Sequence, residues 1–264
     1  MNAALAVGLR ALRLPTMIRV CDEARALSER EGWSYEQFLG HLVECELSGR
    51  QTRRVERFLG ESGLSREKTL SVFDMEVLPM KVRNEIPLLL EGAFAKKGEN
   101  VLFFGLPGRG KTHLANALGC ELVRREIRTF FTPARRLVES LLAAKKEYQL
   151  NRALQKLDRF EVVILDDIGY VQQNAEEMEV LFDFLAERYE SKSVMITSNL
   201  PLGQWDQIFK NPMTTMAAID RLVHHAHILE LTCESYRAKE AVRRRERGDE
   251  TRTFPAAAGE LPAD

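Results

Sequence analysis

The chain has 264 residues, with 38 Lys and Arg against 39 Asp and Glu and a formal net charge of −1. That length buries a large core in one or two domains, and the cancelled charge leaves any nucleic-acid contact to local clustering. Cys21, Cys45, Cys120 and Cys233 lie far apart with no C-x-x-C, which points to ordinary thiols in a reducing cytosol. With no signal-peptide pattern and no apolar run approaching the ~18 residues of a membrane span, the sequence reads as a soluble cytoplasmic protein.

Residues 1–15 are apolar and basic and close at Pro15. Met17, Val20, Cys21, Ala24 and Leu27 recur at helical spacing until Gly32. Ser34 and Gln37 form a capping box for a long helix reaching about Leu59, with Phe38, Leu39, Leu42 and Leu47 inward and Gly60 as its stop. Its second half carries Arg50, Arg53, Arg54 and Arg57 at i, i+3, i+4 and i+7, so the four guanidinium groups share one face. Such a stripe is either a solvated face or a phosphate-binding one. Unpaired like charges repel, and a phosphate-rich partner would turn that cost into attraction. Residues 60–78 read as a linker, and Asn84 caps a short helix that ends at Gly98.

From Val101 the pattern alternates between strand and helix. The apolar run Val101-Leu102-Phe103-Phe104 enters Gly105-Leu106-Pro107-Gly108-Arg109-Gly110-Lys111-Thr112, and a helix leaves it over 111–126. This is a complete G-x-x-x-x-G-K-[ST] phosphate loop in its strand–loop–helix context. Its glycines let backbone N–H groups converge on one anion, Lys111 reaches the outer phosphates, and the Thr112 hydroxyl suits Mg²⁺. Strands follow at 129–132, 162–165, 193–197 and 227–231, with helices at 135–157 and 176–189, short ones within 202–223, and a last one near Ser235. Alternation of this kind predicts a parallel sheet covered on both faces. Residues 248–264, rich in Ala, Pro, Gly and acids, read as a disordered tail.

Val162-Val163-Ile164-Leu165 delivers Asp166 and Asp167 to the carboxyl edge of the sheet beside the phosphate loop. There Asp166 suits Mg²⁺, and Asp167 can orient or deprotonate a water. Asn199, ending Thr197-Ser198-Asn199, either holds that water or is a turn residue. Arg221 and Arg237 are either surface ion-pairing groups or stabilisers of phosphoryl-transfer charge. His224, His225 and His227 cluster without a Cys or an acid at ligand spacing and read as structural or surface residues. Basic residues at 135, 136, 145 and 146 are a weaker candidate for DNA contact.

These residues stand in the order of an AAA+ ATPase. Gly98-Glu99-Asn100-Val101, Lys111-Thr112-His113-Leu114-Ala115, Leu14-Pro15-Thr16-Met17 and the Arg-rich segment resemble the IstB family of transposition helper ATPases, relatives of the DnaC-type helicase loaders. The resemblance covers residues 9–245. It implies an α/β fold, an AAA+ P-loop NTPase with a five-stranded parallel sheet between helices at 71–247, after a small all-helical DNA-binding and assembly domain at 1–70. It implies ATP and Mg²⁺, bound by 105–112 with Thr112 and Asp166 on the metal. Asn199 resembles the sensor-1 residue, Arg221 the arginine finger and Arg237 the sensor-2 arginine. Many AAA+ proteins have Glu where this chain has Asp167, which implies slow hydrolysis suited to a switch.

The implied function is an ATP-dependent regulator in a bacterial cytoplasm. It self-assembles on duplex DNA and delivers that DNA to the transposase of the same insertion element. A helicase loader is the alternative, whose N-terminal helices would show more exposed apolar surface. A small-molecule kinase would need a second substrate pocket, and none is evident.

Overall fold

Short apolar runs bounded by polar residues form strands here, and the deepest of them become central. The computed structural model describes residues 1–170, 175–207 and 212–232. Within these, β1 (Asn100–Phe104), β2 (Thr129–Pro133), β3 (Val162–Asp166), β4 (Ser193–Ser198) and β5 (Ala226–Glu230) form one sheet in the order β2-β3-β4-β1-β5. Every pairing is parallel, as expected. β1, β3 and β4 are buried at each position, which a parallel sheet with helices on both faces requires. Alternate residues feed opposite layers. Leu102, Val163, Leu165 and Ile196 join Phe184 and Trp205 in one core, while Val101, Phe103, Ile164 and Met195 join Leu118 in the other.

Two buried polar side chains hold the amino ends of the strands. Asn100 Nδ2 donates to the Leu222 carbonyl (3.1 Å), and its Oδ1 accepts from the Val194 N–H (2.9 Å). Arg188, 1% exposed, donates to the carbonyls of Leu157, Phe160, Glu161 and Ser193. Burial lowers its pKa to about 10 against the pull of Asp158, so it stays charged at neutral pH.

The N-terminal helices are α1 (Ala3–Ala11), α2 (Pro15–Glu31) and α3 (Tyr35–Ser62). Asn2 caps α1, and the Ser34–Gln37 capping box opens α3. α3 runs through Gly60 and stops at Gly63 (φ 69°). A Cβ at Gly63 would stand 2.8 Å from the Phe131 carbonyl, so close approach to β2 decides the helix end. Phe38 and Leu42 face the Met17–Ala24 core of α2. Leu39 and Leu47, expected inward, are 59% and 61% exposed. With Tyr35 and Val43 they form an outward apolar row, because steps of four and steps of three along this helix both carry apolar residues.

α4 (Met80–Leu90) and α5 (Ala93–Lys97) precede β1. α4 starts from Pro79 rather than Asn84 and carries Pro87 inside it. After β1 come α6 (Lys111–Arg124), α7 (Ala134–Lys146), α8 (Leu150–Leu157), α9 (Ala175–Arg188) and α10 (Pro212–Val223). The single helix expected over 135–157 is thus two. Tyr148 (φ 59°) breaks it, and the turn lets Leu141 and Leu154 both reach the same core layer. Neither Gly nor Pro marks the break. No helix among the described residues is long and apolar enough to cross a membrane. The expected helix near Ser235 and the tail at 248–264 lie outside the described residues.

Glu46 organises the N-terminal helices. Its side chain is 2% exposed and accepts from the Thr16 and Met17 N–H groups (2.7 and 3.0 Å), capping α2, which has no side-chain cap of its own. It also pairs with Arg50 (3.2 Å) and Arg53 (3.0 Å). Arg54 pairs with Glu126, and the Arg57 guanidinium lies 5.4 Å from the Phe58 ring centre. The premise of an unpaired arginine stripe is therefore corrected, since the spacing of the four residues says nothing about carboxylates brought in by other turns and helices. Arg135 and Lys145 likewise pair with Glu139 and Glu179.

Burial alone would raise the Glu46 pKa, but the two backbone N–H groups and both guanidinium groups outweigh it and hold the carboxyl below its usual range. Its stabilisation is complete above the unfolded-chain carboxylate pKa and is lost as pH falls through the lower folded value. We expect Glu46→Gln to cost about 1.5–3 kcal/mol at pH 7. In denaturant titrations the gap from the parent should close in acid. A gap independent of pH would show that the charge of Glu46 contributes nothing.

Candidate active site

β1 delivers its carboxyl end to the loop at 105–110, and α6 begins directly after it. Gly105 (φ 152°) passes so close to β5's exit that a Cβ would stand 2.5 Å from the Leu231 carbonyl. Gly108 (φ 80°) and Gly110 (φ 87°) adopt left-handed backbone that other residues rarely take. This curl leaves α6 with no side-chain cap, so its first-turn N–H groups and helix dipole are available to an anion. Lys111 is 5% exposed, and its ammonium donates to the Gly105 (2.6 Å) and Leu106 (3.1 Å) carbonyls. The loop therefore holds its own cation over the concavity.

Asp166, 9% exposed, ends β3 beside β4. The Thr197 hydroxyl donates to Asp166 Oδ1 (2.7 Å) and accepts from the Asp167 N–H (2.8 Å). One hydroxyl thus sets both acidic residues. Asp167 sits in left-handed backbone (φ 58°), a conformation Asp tolerates better than most residues, and lines the same cavity as Lys111 and Thr112.

Asn199 lines it too, and its Oδ1 is buried without a hydrogen-bond partner. A Cβ at Gly169 would collide with that oxygen, so Gly169 is what admits the amide. A buried amide oxygen with no partner among the described residues fits a site completed by an outside group, such as a nucleotide with its Mg²⁺ and water.

The cavity, of about 210 Å³, has a wall that was not legible as function. Lys68, Val72 and Phe73 come from the stretch read as a linker. That stretch is packed: Asn116 on α6 accepts from the Ser65 N–H (2.8 Å) and donates to the Ser65 (2.8 Å) and Lys68 (2.9 Å) carbonyls. His113 Nε2 lies 3.1 Å from the Thr69 carbonyl, and its ring meets Phe73 edge-on at 5.1 Å. The apolar residues around Phe73 (Leu64, Leu70, Val72 and Met75) fall at no regular helix or strand spacing that would reveal it. Asn116 one helical turn past Thr112 was the available signal, as a polar residue on an otherwise apolar helix face.

The other expected site residues lie elsewhere. Arg221 on α10 stacks over the Phe182 ring (4.6 Å to its centre), with Nη1 buried and without a partner among the described residues, and it does not line this cavity. Arg50, Arg53, Arg54 and Arg57 are on α3. Arg237 lies outside the described residues.

A protein-family model described as an IstB-like ATP binding protein matches residues 7–244. An insertion-sequence ATP-binding protein of Sinorhizobium fredii is 43% identical over 249 residues, spanning 94% of this chain and 84% of its own. The insertion sequence IS21 ATP-binding protein of Pseudomonas aeruginosa is 41% identical over 207 residues, 78% of each chain. Among solved structures, the DnaC helicase loader superposes with a TM-score of 0.52 at 22% identity, over 63% of this chain and 98% of its own. AMPPCP-bound DnaA from Aquifex aeolicus gives 0.56 at 18%, over 73% and 59%. These two likenesses show a shared AAA+ P-loop fold.

Thr197→Val keeps side-chain shape and removes the hydroxyl that sets both acidic residues. We expect a roughly tenfold to hundredfold loss of ATP turnover, with affinity for a non-hydrolysable analogue changed less than about threefold. Unchanged turnover would show that Thr197 does not position the pair.

Proposed function

This chain belongs to the IstB-like ATP binding protein family, and from that premise we propose that it is an ATP-dependent DNA-binding regulator of transposition. The observation that carries this reading is one sheet edge bearing a complete phosphate loop, an acidic pair set by Thr197 and the orphaned Asn199 amide. The reaction is hydrolysis of ATP to ADP and phosphate.

The N–H groups of the loop at 108–112 and the Lys111 ammonium hold the phosphates, and Thr112 and Asp166 are the residues to hold Mg²⁺. When bound, that ion neutralises charge on the phosphate oxygens. Asp167 accepts a proton from the attacking water, and Asn199 orients it. Asp is one methylene shorter than Glu, which suits slow turnover and switching. Arg221 does not line its own chain's cavity, which supports a role at a neighbouring copy's phosphates, where an arginine is worth several orders of magnitude in rate. Arg237 is the sensor-2 arginine in this reading. ATP then makes self-assembly on duplex DNA conditional, and the assembly presents DNA to the transposase of the same element.

The N-terminal helices support the DNA contact through α3, where Arg50, Arg53 and Arg54 stay about half exposed despite their partners. A specific observation favours the second reading, a helicase loader: Tyr35, Leu39, Val43 and Leu47 supply the exposed apolar row that a protein-gripping helix needs. The two readings differ in one assay, duplex DNA binding across a salt series with and without a non-hydrolysable ATP analogue. We expect tight, salt-sensitive binding only with nucleotide. Weak binding under both conditions favours the loader, and equal tight binding without nucleotide overturns the switch.

Two variants refine this. Arg221→Ala should leave ATP-analogue binding by the monomer within about twofold while preventing nucleotide-dependent assembly, read by light scattering. Arg54→Gln with Arg57→Gln, which spares the Glu46 cluster, should flatten the salt slope by up to about two. An unchanged slope would make the stripe a structural and solvated face.

A further inference from the structure

We propose that Glu190, His224 and His225 form a surface site for a divalent transition metal, with Zn²⁺ as the best chemical match. The histidine cluster lacked an acid when read along the chain, and the fold supplies one. His227 is taken away by β5 to Glu99, its Nε2 3.3 Å from that carboxylate. Glu190 comes instead from the turn between α9 and β4, and one ligand atom from each of Glu190, His224 and His225 lies within 4.8 Å of the others. Among the described residues no other trio of His, Cys, Asp or Glu converges this way.

Zinc bonds of about 2.0–2.2 Å in a tetrahedron place ligand atoms roughly 3.4 Å apart. Closing from the observed spacing needs only rotamer changes of about an ångström, and all three residues are exposed, so nothing in the core resists. The backbone beneath is held. The Ser191 and Lys192 N–H groups both donate to the Arg188 carbonyl (3.1 and 3.0 Å), which closes the turn that carries Glu190 in left-handed backbone (φ 56°). The His224 N–H donates to the Asp220 carbonyl (3.0 Å) at the end of α10.

The Tyr189 hydroxyl lies 3.2 Å from His224 Nδ1 and orients that ring. Two imidazoles and one carboxylate favour Zn²⁺, Co²⁺, Ni²⁺ or Cu²⁺ over the oxygen-seeking Mg²⁺ and Ca²⁺. Water takes the fourth position. The site joins the α9–β4 turn to the end of α10, the helix that carries Arg221, so a bound metal braces that helix.

The test is titration of the full chain with Zn²⁺ by calorimetry and with Co²⁺ by visible absorption, in excess Mg²⁺ and without nucleotide. We expect one equivalent with a micromolar Kd, and a Tm raised by about 5–10 °C at a hundredfold excess over Kd. His224→Ala, His225→Ala and Glu190→Gln should each weaken binding at least tenfold while leaving the metal-free Tm unchanged. Cys45→Ser, which removes the other soft pair (Cys45 Sγ to His41 Nε2, 3.6 Å), should keep it. Absence of stoichiometric binding overturns the proposal, as does binding that survives His224→Ala combined with His225→Ala.

Discussion

Parallel strands bring all their carboxyl ends to one edge of the sheet, and in this protein every group of the candidate active site depends on that edge. β1 lies between β4 and β5, with Phe104 in register with both Ser198 and Glu230. The phosphate loop therefore starts level with the end of β4, one strand away from Asp166. A hydroxyl on β4 then reaches the acid on β3, and the same hydroxyl receives the N–H that follows it. A one-residue slip of β4 would turn Thr197 to the other face and disconnect the acidic pair. Register thus sets the geometry of the candidate site as well as the packing.

Holding that register uses buried polar groups at the opposite ends of the strands. Asn100 ties β1 to β4 and to the end of α10, while Arg188 gathers carbonyls from the approaches to β3 and β4. A buried guanidinium is costly unless its donors are used, and four carbonyls with Asp158 nearby use most of them. The amino edge of the sheet carries this structural load, leaving the carboxyl edge to glycines, acids and an amide. Glycine and left-handed Asp167 are poor choices for stability, so they sit where the surrounding strands over-determine the backbone.

The N-terminal helices are joined to this sheet rather than strung from it. Gly63 brings the end of α3 against β2, and Asn116 binds the next stretch to α6, the helix that leaves the phosphate loop. Phe73, on that stretch, meets the loop at Gly110. The wall of the cavity and the attachment of the helices are thus one continuous piece of chain. Packed side chains from Phe73 and His113 to Asn116 line that piece of chain on the α6 side.

The signals that were readable along the chain are the contiguous ones. The phosphate loop, the apolar strands, the capping box at Ser34, the acidic pair and the alternation of strand and helix all lie within a few residues of themselves, so local backbone preference and periodicity expose them. The parallel sheet follows, because short connections between strands and helices leave few other topologies. What tertiary structure decided are pairings across long separations. Glu46 reaches back 30 residues to Thr16, Thr197 reaches 31 to Asp166, and Asn116 reaches 51 to Ser65. Glu190 meets its histidines only after β4, β1 and β5 have aligned. Such contacts have no period, and each partner by itself is an ordinary polar residue. A charge stripe therefore reads correctly as a face but not as free charge, since carboxylates from elsewhere in the fold decide that. The amino-acid sequence determined the elements and the chemistry at the end of each strand; packing decided which of those groups face one another.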